Sequence, residues 1–271
     1  MLKANVASRP SHNRSIPLAE RSPGTVRVFQ VLLFVGVIAL WYALTATGIL
    51  PKFFFGEPVG VFHVMVDWVR SGEIFYHLGI TMLETVFGFA IGVVLALICG
   101  LWFALSPTAS VLSDPYIKAL NAMPRVILAP IFALWFGLGI WSKVALGVTL
   151  VFFVVFFNVY QGIREVSPVV LANARMLGAS KKQLLTTVYL PSATSWVFSS
   201  LHTSVGMAFV GAVVGEYLGS SAGVGYLILQ AEGVFDVNTV FAGIAVLTIA
   251  ALILDAVVGI VEGRLLKWRP S

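Results

Sequence analysis

The densest group of polar side chains in this sequence lies between Leu171 and Pro191, inside an otherwise very apolar chain. Its cations, Arg175, Lys181 and Lys182, have no carboxylate pair beside them, and its hydroxyl groups have no histidine beside them. General acid–base or nucleophilic catalysis depends on such combinations. The stretch therefore predicts a surface that binds another molecule, and no catalytic residue is predicted in the chain.

Polar residues inside the apolar segments are the second set of candidates. Such residues are costly in a membrane and are functional candidates by default. His202 is flanked by serine and threonine residues, so a functional role competes with a hydrogen bond to a neighbouring helix. Asn158 is expected to bridge two helices, which is the commoner role of an amide in such a segment.

Acidic residues near the segment ends are predicted to have structural partners. Glu84 and Glu216 should accept hydrogen bonds from a serine hydroxyl or a backbone N–H group. Asp255 should pair with Arg125 or Arg264. No metal site is predicted, because the four histidines are scattered and the single cysteine lies alone in an apolar run.

The composition indicates the class of fold. Of the residues, 59% are hydrophobic and only 11% are charged, whereas soluble domains carry about 25% charged residues. The chain is therefore predicted to be an all-α polytopic membrane protein. Its net charge of +5 comes from basic residues at segment ends, so membrane topology explains it and nucleic acid is not an expected partner.

Six uncharged runs have the length of about 17 to 25 residues that a membrane-spanning helix needs. They are Val28–Leu50, Thr85–Leu105, Val126–Ser142, Val144–Ile163, Ala193–Gly215 and Val237–Leu254. Only Lys143 separates the third run from the fourth, which predicts a tight hairpin. Gly211, Gly215 and Gly219 recur every four residues and are expected to allow close helix packing.

The distribution of lysine and arginine predicts the orientation of these spans. With a cytoplasmic N-terminus, all of the 17 basic residues except Lys52, Arg70 and Lys143 fall on the cytoplasmic side. Such a bias favours both termini inside. It also places the loop around Gly178 in the cytoplasm.

The remaining segments divide the chain into three parts. Residues 1–27 are rich in serine, proline and arginine and are predicted to be a disordered cytoplasmic tail. Residues 28–77 hold the first span and, from Pro51 to His77, an external amphipathic helix that lies on the membrane surface. Residues 78–268 form the core with five spans, and the polar stretch lies within it at 168–191.

The polar stretch is predicted to form two short helices joined at Gly178, which fits the left-handed residue that ends a helix. Ser167-Pro168 suits the start of the first helix, because proline is favoured at the first helical position. Ser180 and Gln183 have the spacing of a capping box, which starts the second helix. Pro191 is expected to end it.

Both short helices have an apolar side at helical spacing. The apolar positions are Val169, Val170, Ala174 and Leu177 in the first helix, and Leu184, Leu185 and Val188 in the second. A loop lying on lipid headgroups is the alternative interpretation, because the three cations would suit it. A docking element is favoured, since a surface helix gains little from a sharp break in its middle.

At these residues the chain resembles the permease subunits of bacterial ABC importers. Ala172-Asn173-Ala174, Gly178 and Leu190-Pro191 fall where that family carries Glu-Ala-Ala, then Gly, then a hydrophobic residue followed by Pro. In this chain Ala172 stands where the family often has glutamate, and Asn173 stands where it has alanine.

Two further runs are similar to the nitrate, sulfonate and taurine branch of that family. They are the run from Asn121 to Gly139, and Gly215-Glu216 followed by the run from Ala222 to Leu227. The resemblance covers roughly residues 75 to 268, and its motifs are specific as a combination.

The resemblance implies a type I ABC importer-like permease fold with about six transmembrane helices, in the inner membrane of a bacterial cell. Its implied partners are two cytoplasmic ATPase subunits, a periplasmic or lipid-anchored solute-binding protein, a second permease copy in a homodimer, and membrane lipid. ATP and Mg²⁺ would bind the ATPase, and this chain would bind no cofactor. The sequence itself contains no Gly-x-x-x-x-Gly-Lys-Ser/Thr phosphate loop.

The resemblance also implies roles for particular residues in moving a nitrate-, sulfonate- or taurine-like anion, or a related small organic molecule, by alternating access. The residues that would couple to the ATPase are Ala172, Asn173, Ala174, Arg175, Gly178, Ala179, Ser180, Lys181, Leu190 and Pro191. Apart from the resemblance, the residues within the apolar segments that are predicted to line the translocation pathway are His202, Thr203, Gly206 and Asn158.

An ion- or proton-coupled secondary transporter acting without an ATPase is the alternative function. Such a carrier usually has buried charged residues near mid-membrane or paired broken helices, and these are sparse in the sequence. An intramembrane enzyme is disfavoured, because paired catalytic residues are lacking.

Overall fold

The computed structural model describes residues 23–265, and every regular element in that range is helical. The side chains within this range that it leaves undescribed are those of Pro23, Ala193, Thr194, Ser195, Val197, Ser199, Leu201 and Leu265. The predicted all-α class is confirmed. Two units divide the chain between Val59 and Gly60.

The first unit is built around α1 (Pro23–Ala46), which is long and apolar enough to cross a membrane. Proline suits the first turn of a helix, because its missing N–H group would have no helical partner there. The helix therefore begins before the predicted Val28, and residues 23–27 are not part of a disordered tail. Residues 1–22 of the predicted tail lie outside the described residues.

The single external helix predicted from Pro51 to His77 is wrong. In its place the chain has α2 (Lys52–Phe55), α3 (Pro58–Ser71) and the first turns of α4 (Glu73–Leu105). The breaks fall at Gly56 and Gly72, which adopt φ angles of +59° and +79°. Its placement on the membrane surface stays a prediction.

Helix α4 contains the second predicted span but begins at Glu73 instead of Thr85. Its 33 residues extend about 50 Å at 1.5 Å per residue, which is more than the hydrocarbon thickness of a bilayer, about 30 Å. Glu84 lies well inside this helix and is only 2% exposed. The expected position of Glu84 near the outer end of a span stays a prediction.

The third predicted span, Val126–Ser142, is not one helix. After α5 (Pro107–Ala122), a 3-10 turn at Arg125–Ile127 leads into α6 (Leu128–Phe136), and the path bends by 78° between the two parts. The nine residues of α6 cover only about 14 Å. This helix is too short to cross a membrane by itself.

The tight turn predicted at Lys143 lies instead at residues 137–139. Gly137 adopts a φ angle of +76° after α6, and α7 (Ile140–Arg164) begins at the end of this turn. Lys143 therefore belongs to α7. Its side chain is buried, as described below.

The second half of the chain contains α8 (Pro168–Met176), α9 (Lys181–Leu184), α10 (Leu190–Ser199), α11 (Leu201–Leu218), α12 (Val224–Gly233) and α13 (Val237–Leu265). The fifth predicted span is divided between α10 and α11 at Ser200. Among the described residues, four helices (α1, α4, α7 and α13) are long and apolar enough to cross a membrane, and the bent α5–α6 pair would add a fifth. A total of six spans stays a prediction.

Helices α4, α7 and α11 form the centre of the second unit, where their backbones approach closely. A Cβ atom added to Gly211 would lie 2.6 Å from Gly147 Cα, and one added to Gly215 would lie 2.9 Å from Lys143 Cγ. The predicted close packing is thus confirmed at these two glycines, whereas Gly219 has only ordinary contacts. The core below them consists of Ala96, Val151, Val155, Phe156, Val159, Ile163 and Ala208.

Candidate docking site and polar residues of the helical core

The helix pair α8–α9 is joined by a Schellman motif at Gly178. Ala179 N donates to Ala174 O, and Gly178 N donates to Arg175 O, both at 3.0 Å. Gly178 has a φ angle of +81°, which glycine adopts readily because it has no Cβ atom. The predicted left-handed end of the first helix is confirmed.

Both predicted helix starts in the pair are also present. Helix α8 begins at Pro168 directly after Ser167. Ser180 Oγ accepts from Gln183 N at 3.3 Å, and Gln183 Oε1 accepts from Ser180 N at 2.8 Å. This reciprocal capping box satisfies two backbone donors and sets the direction in which α9 leaves the turn.

Pro191 does not end the helical path, contrary to the prediction. A π-helical turn at Leu185–Tyr189 leads directly into α10, and Pro191 occupies the first turn of that helix. Proline is tolerated there, because the N–H group that it lacks is not needed for the helical ladder. The wider π turn lets the helical path continue where the sequence predicted a break.

The outer face of α8 is apolar and open. The exposed fractions are 65% for Val169, 49% for Val170, 79% for Met176 and 88% for Leu177. Among the described residues, nothing lies within 4 Å of a Cβ atom added to Gly178. An apolar surface of this kind, next to polar groups, is typical of an interaction site.

Helices α9 and α10 hold the pair against the end of α7. Leu184 is buried, and Tyr189 packs against the core. Ser192 Oγ donates to Gly162 O at 2.7 Å. The open face of α8 therefore belongs to a helix pair that is fixed to the core through α9 and α10.

A cavity of about 460 Å³ lies beside the pair. Arg175, Lys181 and Lys182 contribute cations to its wall, and Leu105 and Leu184 contribute apolar groups. The cations would attract acidic groups on any partner that covers this side of the pair.

His202 and Gly206 line a second cavity, of about 310 Å³, between α11 and α13. His202 Nδ1 lies 2.8 Å from Glu262 Oε2, and its Nε2 lies 3.8 Å from Asp255 Oδ1. The sequence left two interpretations of His202 open, a functional role and a hydrogen bond to a neighbouring helix. The described contacts provide the second, because Glu262 and Asp255 lie on α13. His202 and Asp255 also border the cavity.

Asp255 does not have the arginine partner that was predicted. Its described ionic neighbour is His202. Arg125 instead donates to the backbone and side-chain oxygens of Asn121 and lies over the ring of Phe153. The prediction was wrong because the bend between α5 and α6 places Arg125 next to its own segment.

The other two predicted pathway residues lie apart from this cavity. Thr203 is exposed on α11. Asn158 lies on α7 and donates to Val154 O of the same helix at 2.7 Å. Among the residues described, it makes no hydrogen bond across to another helix, so the bridging role predicted for it is wrong.

Sequence reasoning missed a group of buried ionisable residues at the other end of α7. Lys143 is 1% exposed, Glu84 is 2% exposed and Glu216 is 0% exposed. The available signal was a lone lysine between two long apolar runs, since such a residue is costly unless it has buried partners. Its partners are far away in the sequence, so spacing could not reveal them.

These features together define a class of protein. The chain has several membrane-length helices, an anchored helix pair with an open apolar face, and no phosphate-binding loop in its sequence. The helices and the helix pair are features of a membrane permease subunit that docks a partner protein.

The comparison with known families agrees. Residues 88–267 match the family of binding-protein-dependent transport system inner membrane components. The chain belongs to this family and is the multi-pass membrane permease subunit of an ABC transporter. Members of the family work together with an ATPase and a solute-binding protein.

Relatives match over nearly the whole chain. A putative aliphatic sulfonates transport permease protein of Bacillus subtilis strain 168 is 34% identical, over 100% of this chain and 99% of that protein. A formylaminopyrimidine transport permease protein of Halalkalibacterium halodurans is 32% identical, over 88% and 94%. The taurine transport system permease protein of Escherichia coli K12 is 26% identical, over 88% and 90%.

Proposed function

We propose that this permease moves a small solute into the cytoplasm by alternating access, and that each of two ATPase subunits receives one α8–α9 pair. The open apolar face of α8, held by the Schellman motif, is the observation that carries the proposal. An amphipathic helix with such a face suits a hydrophobic groove on a partner. Closure of the two ATPases would then move the pairs, and with them the membrane helices.

The other parts of the proposal follow from charge and chemistry. ATP and Mg²⁺ bind the ATPase, because this sequence has no phosphate loop, and this chain binds no cofactor. The excess of basic residues on one side supports a cytoplasmic location for both termini and the helix pair. The protein lies in a bacterial inner membrane, in contact with lipid, and a periplasmic or lipid-anchored binding protein delivers the solute.

A second copy of the chain completes the translocation pathway. The Asp255 side chain is 71% exposed on α13, a helix of membrane-spanning length. A carboxylate that faces lipid is costly, so this face should meet the second copy or the water-filled pathway.

The solute is proposed to be a nitrate-, sulfonate- or taurine-like anion or a related small organic molecule. The relatives named for sulfonates, taurine and formylaminopyrimidine support this range. The test is ATP-dependent uptake of labelled taurine, an alkyl sulfonate, nitrate and formylaminopyrimidine by the complete transporter in proteoliposomes. Uptake by the permease alone, driven by an ion gradient, would instead support the secondary transporter.

Leu177→Glu should weaken binding of the ATPase subunit by about tenfold or more, since burying a charge in an apolar contact costs at least 1.4 kcal/mol. Leu177 is 88% exposed, so folding of the permease itself should not change. Binding is measured by titrating the ATPase against the permease in nanodiscs. Leu177→Met is the matched control and should bind normally; equal binding by both variants would rule out this docking face.

Gly206→Leu should lower uptake severalfold without weakening the binding of the ATPase. Its side chain would project beside the cavity of about 310 Å³, and a Cβ atom at Gly206 meets nothing described within 4 Å. Uptake and ATPase binding are measured on the same preparation. Gly36→Leu, at an equally open position on α1, is the control, and unchanged uptake by Gly206→Leu would remove this cavity from the pathway.

A further inference from the structure

A buried ionisable cluster lies at the end of α7 opposite the helix pair, and the proposed transport function does not use it. It consists of Glu84 on α4, Lys143 on α7 and Glu216 on α11. Each of these side chains is at most 2% exposed. Charges buried to this extent are costly unless they are compensated and hydrogen-bonded.

Glu216 has a donor on each oxygen of its carboxylate. Thr81 Oγ1 donates to Oε1 at 2.7 Å, and Gly225 N donates to Oε2 at 2.8 Å. The Thr81 hydroxyl also accepts from Val224 N at 3.1 Å. The expectation of a hydroxyl and a backbone partner for Glu216 is thus confirmed, with threonine in place of serine. Donors on both oxygens suit an ionised carboxylate.

The turn before α12 and the first turn of α12 are shaped around this carboxylate. A Cβ atom added to Gly223 would collide with the carboxylate carbon of Glu216, and one added to Gly225 would lie 2.9 Å from Glu216 Cβ. His77 Nδ1 accepts from Gly223 N at 3.0 Å and so carries no proton. Little space is left around Glu216 for a further ligand.

Glu84 has the opposite environment. Its Oε2 atom is buried and has no hydrogen-bond partner among the described residues. Glu84 follows Thr81, the donor to Glu216, by three residues on α4, so both residues lie on the side of this helix that faces Glu216. Two ionised carboxylates buried close together repel each other, whereas one proton between them makes a hydrogen bond from an acid to a carboxylate.

Lys143 supplies the balancing positive charge. Its Nζ atom donates to Leu138 O at 2.6 Å and to Gly139 O at 3.0 Å. Its Cα atom lies 3.3 Å from a Cβ atom added to Gly215, the residue next to Glu216. One ammonium, one carboxylate and one neutral acid add up to zero charge. Two ionised carboxylates would leave a net negative charge in the interior.

We propose that Glu84 and Glu216 form a proton-binding site in which one proton is held on Glu84 and hydrogen-bonded to ionised Glu216. The neutral cluster joins α4, α7, α11 and the start of α12. A proton is the ligand that fits, because the glycine-lined segment closes around Glu216. Among the described residues, no group of three histidine, cysteine or acidic side chains is placed to hold a metal ion.

The two carboxyl groups should respond differently to the same substitution. Glu84→Gln keeps a neutral donor facing Glu216 and should change Tm by no more than about 2 °C. Glu216→Gln removes the counter-charge of Lys143 and should lower Tm by about 10 °C. Unfolding of the full-length chain in nanodiscs is followed with a thiol-reactive fluorophore, since Cys99 is the single cysteine and packs against the core.

The double variant Glu216→Gln with Lys143→Met removes both charges and should recover part of the lost Tm, even if the single variant gives little protein. Equal losses for Glu84→Gln and Glu216→Gln would overturn the proposal. So would a rise in the Tm of the unsubstituted chain in sodium over choline salt, because that result would assign the site to a cation.

Infrared absorption provides a direct measurement. The unsubstituted chain should show the carbonyl band of a buried protonated carboxylic acid, and Glu84→Gln should lose it. Glu57→Gln, in the segment between α2 and α3 and outside the cluster, should keep the band. A band that persists in Glu84→Gln, or that is missing from the unsubstituted chain, contradicts the assignment of the proton.

Discussion

Gly178→Val is expected to reduce ATP-driven uptake by at least about tenfold, while the amount of folded permease in the membrane stays the same. A left-handed conformation costs a residue with a Cβ atom about 1–2 kcal/mol, and the φ angle of +81° at Gly178 requires it. The Schellman motif would relax to avoid this strain. The face of α8 would then no longer have its fixed direction relative to α9, and ATP hydrolysis would be uncoupled from transport.

The measurement is uptake and ATP hydrolysis in proteoliposomes that contain the complete transporter. Gly72→Val is the matched control, because Gly72 has nearly the same φ angle, +79°, and also has nothing described within 4 Å of an added Cβ atom. It introduces the same backbone strain outside the helix pair and should leave uptake near normal. Normal uptake by Gly178→Val, or an equal loss in Gly72→Val, would refute a special role of this turn.

Gly211→Leu should prevent stable folding and has the largest expected effect on the permease itself. A Cβ atom there would lie 2.6 Å from Gly147 Cα and 2.9 Å from Gly147 N. These are backbone atoms of α7 and cannot rotate away, so α7 and α11 would have to separate. Overpacking of this kind costs about 1–3 kcal/mol or more, and α11 contributes Ala208 to the core at this crossing.

The yield of monodisperse protein in detergent and its Tm measure this effect. Gly206→Leu is the control on the same helix, since a Cβ atom at Gly206 meets nothing described within 4 Å. It should fold normally even though it is expected to lower uptake. If Gly211→Leu folded as well as Gly206→Leu, the close approach of α7 and α11 would not be what holds this core together.

The helix pair could be predicted from the sequence because its determinants are local. Gly178 ends one helix, and Ser180 and Gln183 start the next, through bonds between residues only a few positions apart. Pro191 was misinterpreted for a related reason. Proline is compatible with the first turn of a helix as well as with a helix end, and only the π turn before it decides between the two.

The sequence predicted which segments are membrane helices but not where these helices begin and end. Apolar runs identify segments that belong in lipid, but the runs stop at the first charged residue. Glu84 and Lys143 are of charged types, yet both lie inside helices and are buried. Runs interrupted at such residues therefore predicted a second helix that begins too late and a turn at the wrong place.

The sequence by itself determined the class of this protein, its family and the capped helix pair, because composition, short motifs and caps act over a few neighbouring residues. Only the tertiary structure decided the bend between α5 and α6, the partner of Asp255 and the buried cluster of Glu84, Lys143 and Glu216. The residues of that cluster are brought together by the close packing of α4, α7 and α11. Burial and hydrogen bonding between residues distant in the chain depend on that packing. No pattern of neighbouring residues in the sequence predicts such packing.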